Sequence, residues 1–495
     1  MKKLFYNAKI YTMREEGEFF SAMLIENNKI IGLYNTTPNI ANTEMIDLEE
    51  TFVYPGFIDT HTHSFEGGLY SLGANLEHVK NLHELFDILR STKPISNRIF
   101  AFHFDENLIE ENRFPTAKEL DNIFPDIPVI LRRVDGHSCV INTIAAQSIE
   151  WEEPLQQPFT GHLNRRWNDT AANWFHKNLS DESILEVYHN AAKIGIKHGL
   201  TGIHTMVGNG RKDPEHFQLI KDNLDNFELD FVLYPQIYDV DIALSLGSKR
   251  IGGCVIADGS FGSHTAALKE PYFDQPDCYG NLYHDNNFWE NMIFKAHENN
   301  LQVCVHCIGD AAIDQILTIY EIAEKRDPKN LKHQIIHNEL TSDEILDRIR
   351  DAGVSVAMQP MFDRLWAGKN GLYENVLGVE RTKKTNRLRS IYRRGILLAG
   401  GSDWYITDLD PLQGIDAATR IHNPEERLTV YQAIEIYTKN AAKICGDEDL
   451  YGTLEVGKRA NFVCLDEDLF ETVSIKNVNV RKVYINGERR DENVQ

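Results

Sequence analysis

Positive charge is scarce in this sequence. Its 495 residues carry 51 Lys and Arg against 74 Asp and Glu, a formal net charge of −23. A surface of that sign repels phosphate backbones and anionic lipid, so neither nucleic acid nor a membrane is an expected partner. Long apolar runs are missing as well. Stretches such as Ile396–Ala399 leading into Gly400 fall far short of the roughly 20 residues a membrane span needs. The first residues open like a signal peptide, but Asn7 and Lys9 interrupt the apolar stretch, so the chain reads as mature from its start. Cysteine is sparse and odd in number, seven in all. That argues against a disulfide framework and for a reducing cytoplasm. No internal repeat or low-complexity segment is present. What remains is an ordinary globular composition, 42% hydrophobic and 25% charged. The length predicts two to four structural units, unless one of them is a large barrel.

The two ends read alike. Short strand patterns fill residues 3–54, with Asn27-Asn28 placed as a hairpin turn between two apolar runs. Residues 451–490 repeat the style and end on the turn Asn486-Gly487. Neither end has strands enough for its own sandwich, so the expectation is one small β-sandwich domain built from 1–54 and 446–495. Between them, strand and helix alternate. Strand candidates are Gly56–Thr60, Thr201–Thr205, Asp230–Pro235, Cys254–Ala257, Leu301–Val305, Gln334–Ile336, Val354–Met358 and Ile396–Ala399. Helical patterns such as Asp181–His198, Ala311–Lys325 and Ser342–Asp351 separate most of them. This predicts an α/β fold, a distorted (β/α)8 TIM barrel over 55–445. Two further strand patterns, Ile99–Phe104 and Pro128–Val134, place an inserted subdomain at about 80–180, after the first barrel strand.

The chemistry-bearing residues stand at strand ends. In Pro55-Gly56-Phe57-Ile58-Asp59-Thr60-His61-Thr62-His63, the two histidines lie at i and i+2 and face the same way. One ion can take both imidazoles. His306 ends the run Leu301–Val305, His337 ends Gln334-Ile335-Ile336, and Asp403 follows Ile396–Ala399 across Gly400-Gly401-Ser402. In a βα barrel those ends converge on one face, where active sites lie. A single histidine after a strand is usually a loop residue; His-x-His, His, His and Asp on four separate ends point to a metal site. Asp310 reads as the cap of the helix that follows it, and Cys304-Val305-His306-Cys307 only imitates a C-x-x-C motif, because its cysteines face opposite ways on a strand. The basic stretch Arg381 to Arg387 reads as a solvated surface, with a pocket-rim anchor for an acidic substrate as the alternative.

These residues resemble the amidohydrolase superfamily, and within it the amidohydrolase-3 branch that includes N-substituted formamide deformylase-like enzymes. The resemblance rests on Pro55–His63, Leu131–Asn142, Asp258–Leu268, Val305–Ile313, Ile335–Leu340, Gly400–Asp403 and Gly452–Leu465. It spans nearly the whole chain and says almost nothing about substrate. It implies that His61 and His63 bind one metal, that His306 and His337 bind the same or a second one, and that Asp403 is both ligand and general base. Many relatives with two metals carry a carbamylated lysine on the fourth strand; the matching position here is Cys254. As a thiolate Cys254 is a good bridging ligand; as a thiol it is a small buried hydrophobe. His264 stands where many relatives have arginine, which puts any carboxylate-anchoring role in doubt. His137, in Asp135-Gly136-His137-Ser138, matches a substrate-contacting motif and is placed as a catalytic group that holds the carbonyl or oxyanion. The alternative is a turn. Asp258 is expected to orient a ligand, contact substrate or close a turn, and His204 to lie beside the metal ligands. Deaminases of the superfamily place a glutamate three residues after the fifth-strand histidine. Gly309 at that position speaks against a deaminase.

The expectation is therefore a cytoplasmic metal-dependent hydrolase that cleaves a C–N amide-type bond of a small molecule. Zinc is the expected cofactor, one or two ions per chain, with iron or manganese as alternatives. An ester, lactone or cyclic-amide hydrolase of the same superfamily and a non-catalytic regulatory protein stay open. So does assembly as a homodimer.

Overall fold

The computed structural model describes residues 2–134, 136–177 and 179–493. The chain separates into two compact units, one of residues 1–63 with 192–495 and one of 64–191.

In the first unit both termini enter one seven-stranded sheet. Thr43–Pro55 lies at its centre, parallel to Lys2–Tyr11 on one side and antiparallel to Phe462–Leu465 on the other. Leu4 and Phe5 alternate into separate apolar clusters, so both faces of the sheet are covered. The expected two-sheet sandwich is thus built as one continuous sheet. At the N-terminus Lys2–Tyr11 is a single strand. Its register shifts between Tyr6 and Ile10, where Asn7 takes a φ of 59°. Both turns expected from sequence are present. Asn27-Asn28 joins Phe19–Glu26 to Lys29–Tyr34 and Asn486-Gly487 joins Val480–Ile485 to Glu488–Arg489, with positive φ at all four residues. That is the backbone a two-residue hairpin demands and Asn and Gly tolerate.

Eight parallel strands form the rest of this unit's framework: β1 Phe57–Thr62, β2 Leu200–Arg211, β3 Asp230–Ile237, β4 Arg250–Ile256, β5 Gln302–Cys307, β6 Gln334–His337, β7 Ser355–Met358 and β8 Leu398–Gly400. Each overlaps one of the eight strand candidates. They hydrogen-bond as two sheets, β3-β2-β1 and β4-β5-β6-β7-β8. The sheet edges approach each other at both seams. At one, Thr60 Oγ1 donates to the Gly400 carbonyl (2.8 Å); at the other, Gln236 Nε2 donates to the Cys254 carbonyl (3.0 Å). Helices such as Asp310–Arg326 and Asp343–Asp351 follow the strands. Gly309, not Asp310, is the cap residue of the first of these, and the Asp310 carboxylate accepts from the Lys269 N–H instead. Among the described residues no helix is long and apolar enough to cross a membrane.

The second unit holds a five-stranded sheet ordered His162–Asn164, Ser138–Ile141, Val129–Arg133, Ile99–Phe104, Ala74–Asn75. Its own core includes Leu85, Leu89, Phe104, Leu131 and Val140.

Candidate metal centre

The β1 strand carries both histidines of the His-x-His pair to its C-terminal end. The loop after β8 then runs back along it. Asp403 N–H donates to the His61 carbonyl (2.8 Å) and His63 N–H to the Trp404 carbonyl (2.6 Å). Beneath this pairing Asp59 is a buried clamp: its carboxylate accepts the Ser402 N–H (3.0 and 3.1 Å) and the His61 N–H (3.1 Å). Backbone bonds from two directions therefore fix where Asp403 stands. Its Oδ1 lies 3.3 Å from Nε2 of His61 and 3.3 Å from Nε2 of His63.

Cys254 on β4, His306 on β5 and His337 at the end of β6 complete the group. His61, His63 and Cys254 bring one donor atom each within 4.8 Å of one another; so do Cys254, His306 and His337, and so do His61, His337 and Asp403. Cys254 is common to the first two sets. Its Sγ lies 3.9 Å from His306 Nδ1, and the His306 and His337 rings are 4.5 Å apart, centre to centre. All six residues expected as ligands are thus brought together.

The electrostatics of this cluster are those of a cation site. Burial opposes charge on every group, yet Asp403 and Cys254 together hold His61 up to about 9 and His63 well above the ordinary imidazole value. Cys254 likewise raises His306 to about 9. In return the facing histidines hold the Cys254 thiol and the Asp403 carboxyl well below their ordinary values. His61 Nδ1 and Nε2 and Asp403 Oδ1 are buried without a hydrogen-bond partner. Buried polar atoms are rarely left so, and soft-to-borderline N and S donors with one carboxylate suit a divalent cation such as zinc. The residues present fit a metal.

The other expected site residues have different surroundings. Asp258 is fully buried and accepts three backbone N–H groups, from Ala267 (2.8 Å), Ile308 (3.0 Å) and Gly309 (2.8 Å). It ties the β4 and β5 loops together, and its Oδ1 stands 3.8 Å from His306 Nε2. His264 pairs with the chain's own Asp274, 2.9 Å from Oδ2, and its ring packs on Tyr272. His137 is exposed at a bend of the second unit, and its motif neighbour Asp135 lies outside the described residues. His204 is buried on β2, with Nδ1 3.2 Å from the Tyr234 hydroxyl. In the basic stretch Arg387 pairs with Asp343 and Glu426, and Lys383 with Glu380. Sequence reasoning passed over Asp59 and also Gln359, whose Oε1 accepts from His337 Nδ1 at 2.7 Å. Asp59 had a signal, since it precedes His61 by two on the same face of the strand. Gln359 had none, since only the fold brings the end of β7 beside His337.

The amidohydrolase family profile designated Amidohydro_3 matches residues 44–490. The chain belongs to that family. Among curated proteins it is 29% identical to the protein named amidohydrolase YtcJ of Bacillus subtilis, over 93% of this chain and 94% of that one. It is 21% identical to the N-substituted formamide deformylase of Arthrobacter pascens, over 98% and 97%. Among solved structures it resembles an uncharacterized metal-dependent hydrolase from Pyrococcus furiosus, with a TM-score of 0.82 and 27% identity, over 95% of this chain and all of that one. The amidohydrolase superfamily expected from the motifs is therefore the right one, and membership supports metal-dependent hydrolase activity.

Proposed function

We propose that this amidohydrolase cleaves a C–N amide-type bond of a small molecule, and that β1–β8 close into one barrel whose C-terminal rim holds the reaction. His61, His63, Cys254, His306, His337 and Asp403 would hold the cation or cations. Zinc is favoured by the donor set, one or two ions per chain, and the Cys254 thiolate would be among their ligands. When bound, the metal supplies an acidified water and polarises a carbonyl. Asp403 takes a proton from the attacking water through Oδ1 and returns it to the leaving amine. His61 and His63, both 3.3 Å from Oδ1, keep that carboxylate ionised and aimed. Burial of His61, His337 and Asp403 restricts competing solvent.

The observation that carries this reading is the set of buried, unpartnered donor atoms on His61 and Asp403 inside a six-residue cluster of metal-ligand chemistry. The test is a panel of N-acyl and N-formyl amines, esters, lactones and cyclic amides, assayed on protein of measured zinc content. Amide cleavage that disappears on chelation and returns with zinc supports the reading. Turnover of esters or lactones alone redirects it within the superfamily. Zinc-loaded protein that is inert on the whole panel, while binding one of its members, favours a regulatory role.

A further inference from the structure

His337 is held from two directions by one short stretch of chain. Gln359 follows β7 and immediately precedes Pro360, the first residue of the helix Pro360–Trp366. Proline disfavours helical backbone in the residue before it, and Gln359 sits at φ −115°, ψ 89°. Its side chain is buried, and its Oε1 lies 2.7 Å from His337 Nδ1. Three residues on, the Phe362 ring stacks on the same imidazole, 5.7 Å between centres at 12°. The amide fixes the ring in its plane and the phenyl fixes it across the plane.

An amide oxygen only accepts, so Nδ1 of His337 must carry the proton. In a neutral ring the lone pair is then on Nε2, which leaves that atom as the donor toward Cys254, His306, His61 and Asp403. We infer that Gln359 is a positioning residue of the metal centre, one that selects the metal-binding tautomer of His337. This rests on the metal-centre reading above. A carboxamide suits the task because Cys254 and Asp403 already supply two anionic donors. It orients the imidazole without adding a third charge.

The test uses the full-length protein stripped of zinc, with zinc affinity measured by competition against a chromophoric chelator. Gln359→Met keeps the length and removes the acceptor; Gln359→Glu keeps an acceptor oxygen. Circular dichroism establishes that each variant is folded. The expected result is a roughly 10–100-fold loss of zinc affinity in Gln359→Met, the size usual for a partner behind a metal-bound histidine. Gln359→Glu should stay within a few-fold of the unsubstituted protein. Equal affinity in folded Gln359→Met would overturn the inference and leave the metal centre standing. Gln359→Glu binding as weakly as Gln359→Met would also overturn it, since the acceptor oxygen would not be what matters. An unsubstituted protein that takes up no zinc removes the metal centre and this inference together.

Discussion

Among the described residues, two clusters have the composition of a metal site. One is the group around Cys254; the other is His297, Glu324 and His333, whose donor atoms also lie within 4.8 Å of one another. The difference between them is in the hydrogen bonds. In the second cluster Val303 N–H donates to His333 Nδ1 (2.9 Å), which leaves the His333 proton on Nε2, 2.9 Å from His297 Nδ1. His297 then carries its own proton on Nε2, 2.7 Å from the Asp327 carbonyl. Glu324 Oε2 accepts from the backbone of Lys329 and Asn330. Each imidazole nitrogen has a protein partner, so no lone pair is left for an ion. Around Cys254, by contrast, His61 and Asp403 keep buried atoms with none. Residue type and spacing are the same in kind; unspent valence separates a ligand set from a structural brace.

The comparison breaks first at Asp403. Asp403→Asn keeps the size and the backbone bonds to His61 but removes the proton acceptor. Hydrolysis should fall by about 10³-fold or more while zinc content and fold largely persist. Steady-state rates on metal-replete protein check this, and near-normal rates would remove Asp403 as the base. Cys254→Ala sharpens the same side. Elemental mass spectrometry should find about two zinc ions per unsubstituted chain and one or fewer in the variant. One ion in both would make Cys254 a packing residue. His333→Leu probes the brace. It strands the Val303 N–H and a ring nitrogen of His297, at about 1–3 kcal/mol for each buried group left unsatisfied. The midpoint of denaturant unfolding should drop accordingly with metal content unchanged. Lost zinc in that variant would abolish the distinction between the two clusters.

Much of this was legible in the sequence. The strand ends carrying His61, His63, His306, His337 and Asp403 could be read because ligand-type residues closed apolar β runs, a local pattern. The hairpin turns at Asn27-Asn28 and Asn486-Gly487 were legible for the same reason. Partnerships between distant segments were not. Nothing around Asp59 announces that it binds the Ser402 amide, nor does Asp258 announce three backbone partners, two of them on the loop after β5. Asp310 looked like a cap by composition, but the Lys269 amide takes its carboxylate. His297 and His333 went unremarked because each sits alone in its segment and becomes half of a pair only in the folded chain.

Acidity gives the smallest effect and separates the clusters by sign. Burial, with His297 beside it, pushes His333 down to about 3. The unfolded chain therefore takes up a proton that the folded one refuses, and the brace loses stability as pH falls from about 6.5 toward 3. The metal-site histidines run the other way. In zinc-free protein His61 and His306 hold their protons up to about 9, so their stabilising charge is fully present below about 6.5 and is lost as pH rises through 9. Zinc must displace those protons. Its uptake near pH 7.5 should release them, and its affinity should weaken as pH falls below 9. Calorimetric titration in buffers of different ionisation enthalpy counts the protons released. The count should be unchanged in His333→Leu, because the brace supplies no donor to the cation. It should fall in His306→Ala, which removes one of the protonated rings. Equal counts in both variants would mean that the charge on His306 is not coupled to the cation, and that Cys254, not the imidazole, sets the proton balance of the site.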